Sequence, residues 1–314
     1  MSYSGEPGGK GGPRRRRYLL GIGAALAGGY GAALLQRPAW GESRAPIVKG
    51  GPLAVRVLGD RGPPVLLLHG LIGSGRFWGV AYDALGESRR LIIPDLLGFG
   101  RSDRPATGYG PGDHAEAVLD CLQSLGITEP VTIGAHSLGC VVALRLAALR
   151  PDLVERIVGF GPPLYPDRAS ALTRIGASSP MAKLFVLPGS GAEALCRLVC
   201  EHRSLAATFA VLTNPSTPPA IAADAVQHTW SSYSESLERC LLAGESGKWL
   251  AGAPVPIHLV AGITDPVVDN AYLDSVHARH ANVSLDRWKG DHRLPLEHAA
   301  RCRELIGSRS TPAV

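Results

Sequence analysis

The chain has 314 residues, of which 45% are hydrophobic and 19% are charged. This composition supplies a sizeable core for one large or two small domains, and it excludes an intrinsically disordered chain. The net charge of +5 lies entirely in residues 1–40, so the neutral remainder argues against nucleic acid as a partner of the globular part.

The N-terminal segment, residues 1–40, has the layout of a targeting signal. Residues 14–17 are four arginines, and an uncharged stretch of 18 residues with five glycines follows them. Residues 15–20 (RRRYLL) resemble a twin-arginine export signal, and small residues near Gly41 suit cleavage. An uncleaved membrane anchor is the alternative, because this stretch of 18 residues is close to the roughly 20 apolar residues that a membrane span needs. We expect export, or anchoring with membrane association through residues 14–35, rather than a cytoplasmic extension.

From about residue 45 onward, the pattern of strand, turn and helix repeats. Short apolar runs predict strands at Leu53–Val57, Val65–Leu68, Leu91–Pro94, Val131–Ala135, Val154–Phe160, Ile257–Ala261 and Val283–Trp288. Helices are predicted over residues 113–125, Leu138–Leu149 and residues 296–306. Buried strands that alternate with helices indicate an α/β fold with a mostly parallel sheet covered on both faces.

Residues 165–245 interrupt this rhythm. They are rich in Ala, Leu and Ser, contain several prolines, and show helical periodicity without a convincing strand. We expect a helical cap here, inserted between two parts of one core at residues 45–164 and 246–308. The apolar content of the cap indicates an apolar substrate pocket.

The strongest chemical signal is the run VTIGAHSLG, which ends in Gly139. A strand ends, Ser137 occupies the turn, and a helix begins at once, which is the layout of a nucleophile elbow. The motif departs from G-x-S-x-G at one position, because Ala135 replaces the first glycine. A serine that merely caps the helix is the structural alternative.

A serine nucleophile needs a base, and the base needs an acid that orients it. Asp265 follows the strand at Ile257–Ala261, and His292 follows the last strand, so both lie at the same sheet edge as Ser137. Asp269 is expected inside the following helix, while Asp95 is expected to brace a glycine-rich turn.

Two backbone N–H groups are candidates for an oxyanion hole. Leu71 follows His69-Gly70 in the loop after a buried strand, and Leu138 begins the helix after Ser137. Removing one such donor typically costs about 2.7–4 kcal/mol in the transition state. A tight turn without catalytic function is the alternative reading of His69-Gly70.

The sequence contains no evident cofactor motif. Its six cysteines form no C-x-x-C pair and are expected as scattered buried thiols. Cys196 and Cys200 could share a helix face. His202 is the lone histidine close to them in the sequence, and it does not have zinc-like spacing from both cysteines. The sequence therefore favours no metal site.

Five motifs in order resemble the α/β-hydrolase superfamily: HG at 69–70, PDLLGFGRS at 94–102, AHSLG at 135–139, GITD at 262–265 and GDH at 290–292. The chain most resembles the bacterial single-domain branch with a helical cap, over roughly residues 50–308. That branch includes esterases, cofactor-free haloperoxidase-like enzymes and carbon–carbon bond hydrolases. The resemblance implies Ser137, Asp265 and His292 as a catalytic triad and Leu71 and Leu138 as oxyanion donors.

A serine at the nucleophile position indicates attack on carbonyl carbon, whereas relatives that open epoxides or remove halogens use aspartate. We therefore expect a serine hydrolase that acts on a small-molecule acyl substrate through an acyl-enzyme. A carbon–carbon hydrolase or perhydrolase on the same fold is the first alternative, and a non-catalytic binding protein is the second.

Overall fold

The computed structural model describes residues 29–186, 191–244 and 246–308. The central sheet has eight strands: β1 (Ile47–Gly50), β2 (Leu53–Leu58), β3 (Pro64–Leu68), β4 (Arg90–Pro94), β5 (Val131–His136), β6 (Val154–Phe160), β7 (Ile257–Gly262) and β8 (Val283–Trp288). Their order is β1-β2-β4-β3-β5-β6-β7-β8. The β1–β2 and β2–β4 pairs are antiparallel, and all other neighbours are parallel. The predicted α/β fold with a mostly parallel sheet is confirmed.

The central strands β3 and β5 are buried along their whole length. Their apolar residues face helices on both sides of the sheet, which is why they read as continuous apolar runs. The register pairs Leu68 with Ala135, and Ala135 with Gly159. The carboxyl ends of β3, β5 and β6 therefore meet at one edge, where open α/β sheets bind ligands.

Helices cover both faces of the sheet. Those of the core are α1 (Pro111–Ser124), α2 (Leu138–Leu149), α9 (Ser246–Gly252), α10 (Asn270–Arg279), α11 (Leu294–Glu297) and α12 (Ala299–Gly307). Helix α2 is apolar around nearly its whole circumference, because it is enclosed by the sheet, α1 and α9. One apolar core lies on that side, and a second, around Trp78 and Tyr82, lies on the side of α12.

Between β6 and β7 the chain forms a series of helices. They are α3 (Arg168–Ala177), α4 (Pro180–Val186), α5 (Ala192–Glu201), α6 (Arg203–Thr213), α7 (Pro219–Asp224) and α8 (Trp230–Glu235), and α8 continues into a π-helical segment, Ser236–Leu242. Helix α5 buries only Ala192 and Cys196, and α6 has no buried residue. We call residues 165–245 the cap.

Strand positions agree with the predictions within one residue at each end, with one omission. Strand β1 was not predicted, because three of its four residues are exposed and it pairs only at the sheet edge. The predicted helix over residues 296–306 is two helices, since His298 leaves helical geometry at φ −124° and ψ 39°.

Part of the predicted targeting segment packs against the core. Gly41 accepts a hydrogen bond from the Val80 N–H at 2.8 Å, and Trp40 borders the second apolar core. Arg37 donates to the carbonyl oxygen of Pro215 in the cap at 3.0 Å. The arginine run and most of the apolar stretch lie outside the described residues. Within the described ranges, no helix combines the length and the apolarity that crossing a membrane requires.

Candidate active site

Ser137 occupies the sharp turn between β5 and α2. Its backbone has φ 50° and ψ −119°, in a region that costs a non-glycine residue roughly 1–3 kcal/mol. The Ser137 N–H donates to the carbonyl oxygen of Phe160 at 3.0 Å, which fixes the turn against β6. The positive end of the α2 dipole lies beside the serine, so negative charge that develops there is stabilised.

Two glycines allow the backbone to approach this turn. A Cβ on Gly139 would lie 2.6 Å from the carbonyl oxygen of Leu68, so only glycine lets α2 pack this closely against β3. A Cβ on Gly70 would lie 3.1 Å from the Ser137 Cβ. The loop that contains Gly70 and Leu71 is therefore in direct contact with the serine.

The structure brings Ser137, His292 and Asp265 into one hydrogen-bonded line. His292 Nε2 lies 3.0 Å from Ser137 Oγ, and His292 Nδ1 lies 2.8 Å from Asp265 Oδ2. Because the carboxylate can only accept, Nδ1 carries the ring proton and Nε2 is free to accept from the serine. This is the geometry in which a histidine can remove the proton of a serine hydroxyl.

Asp265 is fixed by the loop that follows β7. Its Oδ1 accepts hydrogen bonds from the N–H of Val267 at 2.8 Å and of Val268 at 3.3 Å. The carboxylate side chain is fully buried, whereas 24% of the His292 side chain is exposed. The acid is therefore enclosed by the protein, while part of the His292 side chain stays exposed.

The other acids near this edge have different partners. Asp269 was predicted to lie inside α10, but it is the N-cap of that helix and accepts from the Tyr272 N–H at 3.1 Å. Asp291 pairs with Arg293 at 2.9 Å. Asp95 braces a turn, as predicted, by accepting from the Arg101 N–H at 2.7 Å.

His136, the residue before Ser137, holds the backbone of His292. Its Nε2 lies 2.7 Å from the His292 carbonyl oxygen, so Nε2 carries the proton and donates. The ring stacks on Phe77 with centroids 4.5 Å apart. Burial, followed by the nearby His292, lowers the pKa of His136 to about 3. The neutral His136 ring positions the loop that carries His292, a function that sequence reasoning did not identify.

One candidate oxyanion donor, Leu138, directly follows Ser137, and the other, Leu71, lies in the loop whose Gly70 approaches the Ser137 Cβ. Leu138 is the first residue of α2, so its N–H has no partner within the helix. Leu71 lies in a turn closed by the Gly73 N–H and the Gly70 carbonyl oxygen at 3.1 Å. The next residue, Ile72, has φ 54°, which is unusual for a β-branched side chain.

His69 links this loop to the loop after β4. Its Nε2 accepts from the Leu96 N–H at 2.8 Å, so the proton is on Nδ1, which lies 2.8 Å from the Gly70 carbonyl oxygen. Burial lowers the pKa of His69 and keeps the ring neutral. The HG pair thus serves to fix the loop that holds Leu71.

A second group of reactive side chains lies in the cap. Cys196, Cys200 and His228 place one ligand atom each within 4.8 Å of one another. His202, the histidine nearest to these cysteines in the sequence, is not part of the group. The histidine that lies beside the two cysteines is His228, which is 28 residues after Cys200, and the sequence spacing did not predict this contact.

Comparisons with known proteins agree with this architecture. The family model described as alpha/beta hydrolase fold matches residues 63–284. An uncharacterized protein of Mycobacterium tuberculosis is 37% identical over 145 residues, which are 46% of this chain and 40% of that protein. The chain therefore spans well under two thirds of that relative.

Two further proteins are similar over more of the chain. The probable lysophospholipase BODYGUARD 4 of Arabidopsis thaliana is 28% identical over 246 residues, covering 73% of this chain and 59% of that protein. The crystal structure of an esterase from Rhodococcus sp. ECU1013 superposes with a TM-score of 0.63 at 22% identity, covering 83% of this chain and 95% of that one. At this identity the structural likeness establishes the fold alone.

Proposed function

The chain belongs to the α/β-hydrolase fold family, and we propose that it is a serine hydrolase that cleaves ester or related acyl bonds. The observation that carries the proposal is the line from Ser137 Oγ to His292 Nε2 at 3.0 Å and from His292 Nδ1 to Asp265 Oδ2 at 2.8 Å. The names of a probable lysophospholipase and an esterase among similar proteins support the same reaction class.

In the proposed mechanism, Ser137 Oγ attacks the carbonyl carbon of the substrate while His292 Nε2 takes the serine proton. Asp265 accepts from Nδ1 and stabilises the imidazolium that forms. The N–H groups of Leu71 and Leu138 donate to the oxyanion of the tetrahedral intermediate. His292 returns the proton to the leaving group, and an acyl-enzyme remains.

Water then completes the reaction. His292 accepts a proton from a water molecule, whose oxygen attacks the acyl carbon, and the second tetrahedral intermediate releases a carboxylic acid. Ser137 recovers its proton from His292. The exposed edge of His292 gives water access to the acyl-enzyme.

We infer an apolar acyl group as the preferred substrate. The cap carries a high content of Ala, Leu, Val and Phe, which supports an apolar pocket above the sheet. Nitrophenyl esters of graded acyl length test this, because each buried methylene is worth about 0.8 kcal/mol of binding. Catalytic efficiency is expected to rise with chain length, and a flat series would contradict an apolar pocket.

Labelling by a fluorophosphonate tests the reaction class, because the probe needs a serine activated by a histidine. The wild-type chain is expected to be labelled, and the variants Ser137→Ala and His292→Ala are expected to resist labelling. His277→Ala is the matched control, since that imidazole binds the carbonyl oxygen of Val283 at the start of β8, the end of the strand opposite to His292. Ester hydrolysis at the wild-type rate by Ser137→Ala would contradict the proposal.

We also propose that residues 1–40 direct the chain to the membrane or across it. The arginine run followed by an uncharged stretch supports this. Fractionation of expressing cells and sequencing of the mature N-terminus distinguish cleavage from anchoring, and intact chain found only in the cytoplasm would contradict both. Truncations should end before Arg37, because Trp40 and Gly41 contact the core.

A further inference from the structure

The cap holds two thiols and an imidazole in a compact group. Cys196 and Cys200 lie one turn apart on α5, and His228 lies in the segment between α7 and α8. The two Sγ atoms are 4.0 Å apart, and Cys196 Sγ lies 3.5 Å from His228 Nε2. Cys196 and His228 are buried, while Cys200 is partly accessible.

Two of the three separations are close to the edges of a tetrahedral zinc site, whereas the third, between Cys200 Sγ and the His228 ring, extends to within 4.8 Å and must shorten when a metal binds. With Zn–S bonds of about 2.3 Å and Zn–N bonds of about 2.05 Å, tetrahedral angles place two sulfurs about 3.8 Å apart and a sulfur and nitrogen about 3.6 Å apart. The observed distances are 4.0 Å and 3.5 Å. A disulfide would instead require the two sulfurs at about 2.05 Å.

The group is held in its thiol form when no metal is bound. Burial, followed by the neighbouring Cys200, raises the pKa of Cys196, and the guanidinium of Arg203 offsets this only in part. The Cys200 thiol donates to the His228 carbonyl oxygen at 3.2 Å, so a cation must displace both thiol protons to gain two thiolate ligands. Within the described residues, no further histidine, cysteine or carboxylate joins the group.

In the part of the cap that the structure describes, α5 and α6 bury few side chains. Helix α5 buries two residues and α6 buries none, so apolar packing alone fixes this part of the chain weakly. By contrast, the α8 end of the cap reaches the core, because Tyr233 and Leu237 belong to the main apolar cluster. A metal bound by Cys196, Cys200 and His228 would tie the loosely packed helices to the well-packed end.

We propose that Cys196, Cys200 and His228 bind one Zn²⁺ ion that cross-links the cap, with a water molecule as the fourth ligand. Binding releases the protons of the two thiols and forms two Zn–S bonds and one Zn–N bond, so affinity rises with pH. The site is separate from the Ser137 site, and no residue in it takes part in the proposed hydrolysis.

The test is metal binding by the full chain, purified without an affinity tag, reduced and freed of metal. Zn²⁺ titrated against a competing chelator is expected to bind at one ion per chain. Cys200→Ala and Cys196→Ala are each expected to weaken Zn²⁺ binding more than about 100-fold. A loss of that size indicates a direct ligand, because removal of a residue that only supports a ligand costs at most about 100-fold. Cys121→Ala, which removes a buried thiol elsewhere, is expected to bind as the wild type.

Co²⁺ serves as the spectroscopic probe, because thiolate ligands give it a charge-transfer absorption that a histidine–carboxylate site cannot. We expect that absorption in the wild type and in Ser137→Ala, and its loss in Cys200→Ala. Zn²⁺ is also expected to slow hydrogen exchange in residues 192–213 of the wild type but not of Cys200→Ala. Equal Zn²⁺ affinity in the wild type and Cys200→Ala, or a Co²⁺ spectrum without thiolate absorption, would overturn the site whatever the hydrolase assays show.

Discussion

Substitution of Gly161 disturbs the Asp265–His292 pair without replacing either of these residues. It lies at the end of β6 with φ +56°, and a Cβ there would be 3.0 Å from His292 Nδ1 and 3.2 Å from Asp265 Oδ2. Ordinary van der Waals contact begins at 3.4 Å, so Gly161→Ala forces a displacement of about 0.4 Å. A misplacement of 1 Å can cost about 100-fold in rate, so the variant is expected to lose about five- to tenfold in kcat.

The matched control is Gly126→Ala. Gly126 has φ +68°, and no atom lies within 4 Å of the Cβ position. Both variants carry the left-handed backbone cost of about 1–2 kcal/mol for a non-glycine residue, and only Gly161→Ala adds the close contact with His292 and Asp265. Urea denaturation and ester kinetics measured on both proteins separate the effects. An unchanged kcat in Gly161→Ala, or an equal loss in Gly126→Ala, would refute the reasoning.

Three further outcomes are expected. Asp265→Asn should lower kcat by about 10³–10⁴-fold, whereas Asp269→Asn, which keeps a good N-cap residue, should leave ester kinetics unchanged. Burial lowers the pKa of His114 from 6.5 to about 4, so the unfolded chain binds a proton that the folded chain rejects as the pH falls. The free energy of unfolding should therefore drop by about 2 kcal/mol through this residue between about pH 7 and pH 5, and urea denaturation should show a weaker pH dependence in His114→Gln. Hydrogen exchange should be faster in residues 165–245 than in residues 131–160, because α6 has no buried residue, and equal protection would indicate a rigid second domain.

The sheet was predictable because its central strands are buried on both faces. The apolar run Val131–His136 predicts a buried strand without any tertiary information, and all six residues are buried in the structure. Strand β1 carries no such signal, because it borders solvent and its pairing with β2 depends on tertiary context. The break in the last predicted helix was missed for the same reason. The non-helical backbone of His298 depends on tertiary contacts, which the periodicity of the sequence does not show.

The residues of the candidate active site were predictable because each follows a strand. Ser137, Asp265 and His292 all lie where a strand ends at one sheet edge, so chain order alone brings them to the same region. The roles of His69 and His136 were not predictable in the same way. Their hydrogen bonds reach loops that are distant in the chain, and only the fold shows which atoms they hold.

The distribution of backbone strain supports the placement of the site. Among the described residues, the non-glycine residues with positive φ are Ile72 and Ser137. Ile72 lies in the loop after β3 and Ser137 in the turn between β5 and α2, and each of these conformations costs roughly 1–3 kcal/mol. The Phe160 carbonyl oxygen holds the Ser137 N–H, and the Gly70 carbonyl oxygen holds the turn around Ile72. Folding energy from the buried sheet thus maintains two strained turns at one edge, where Ser137 Oγ faces His292.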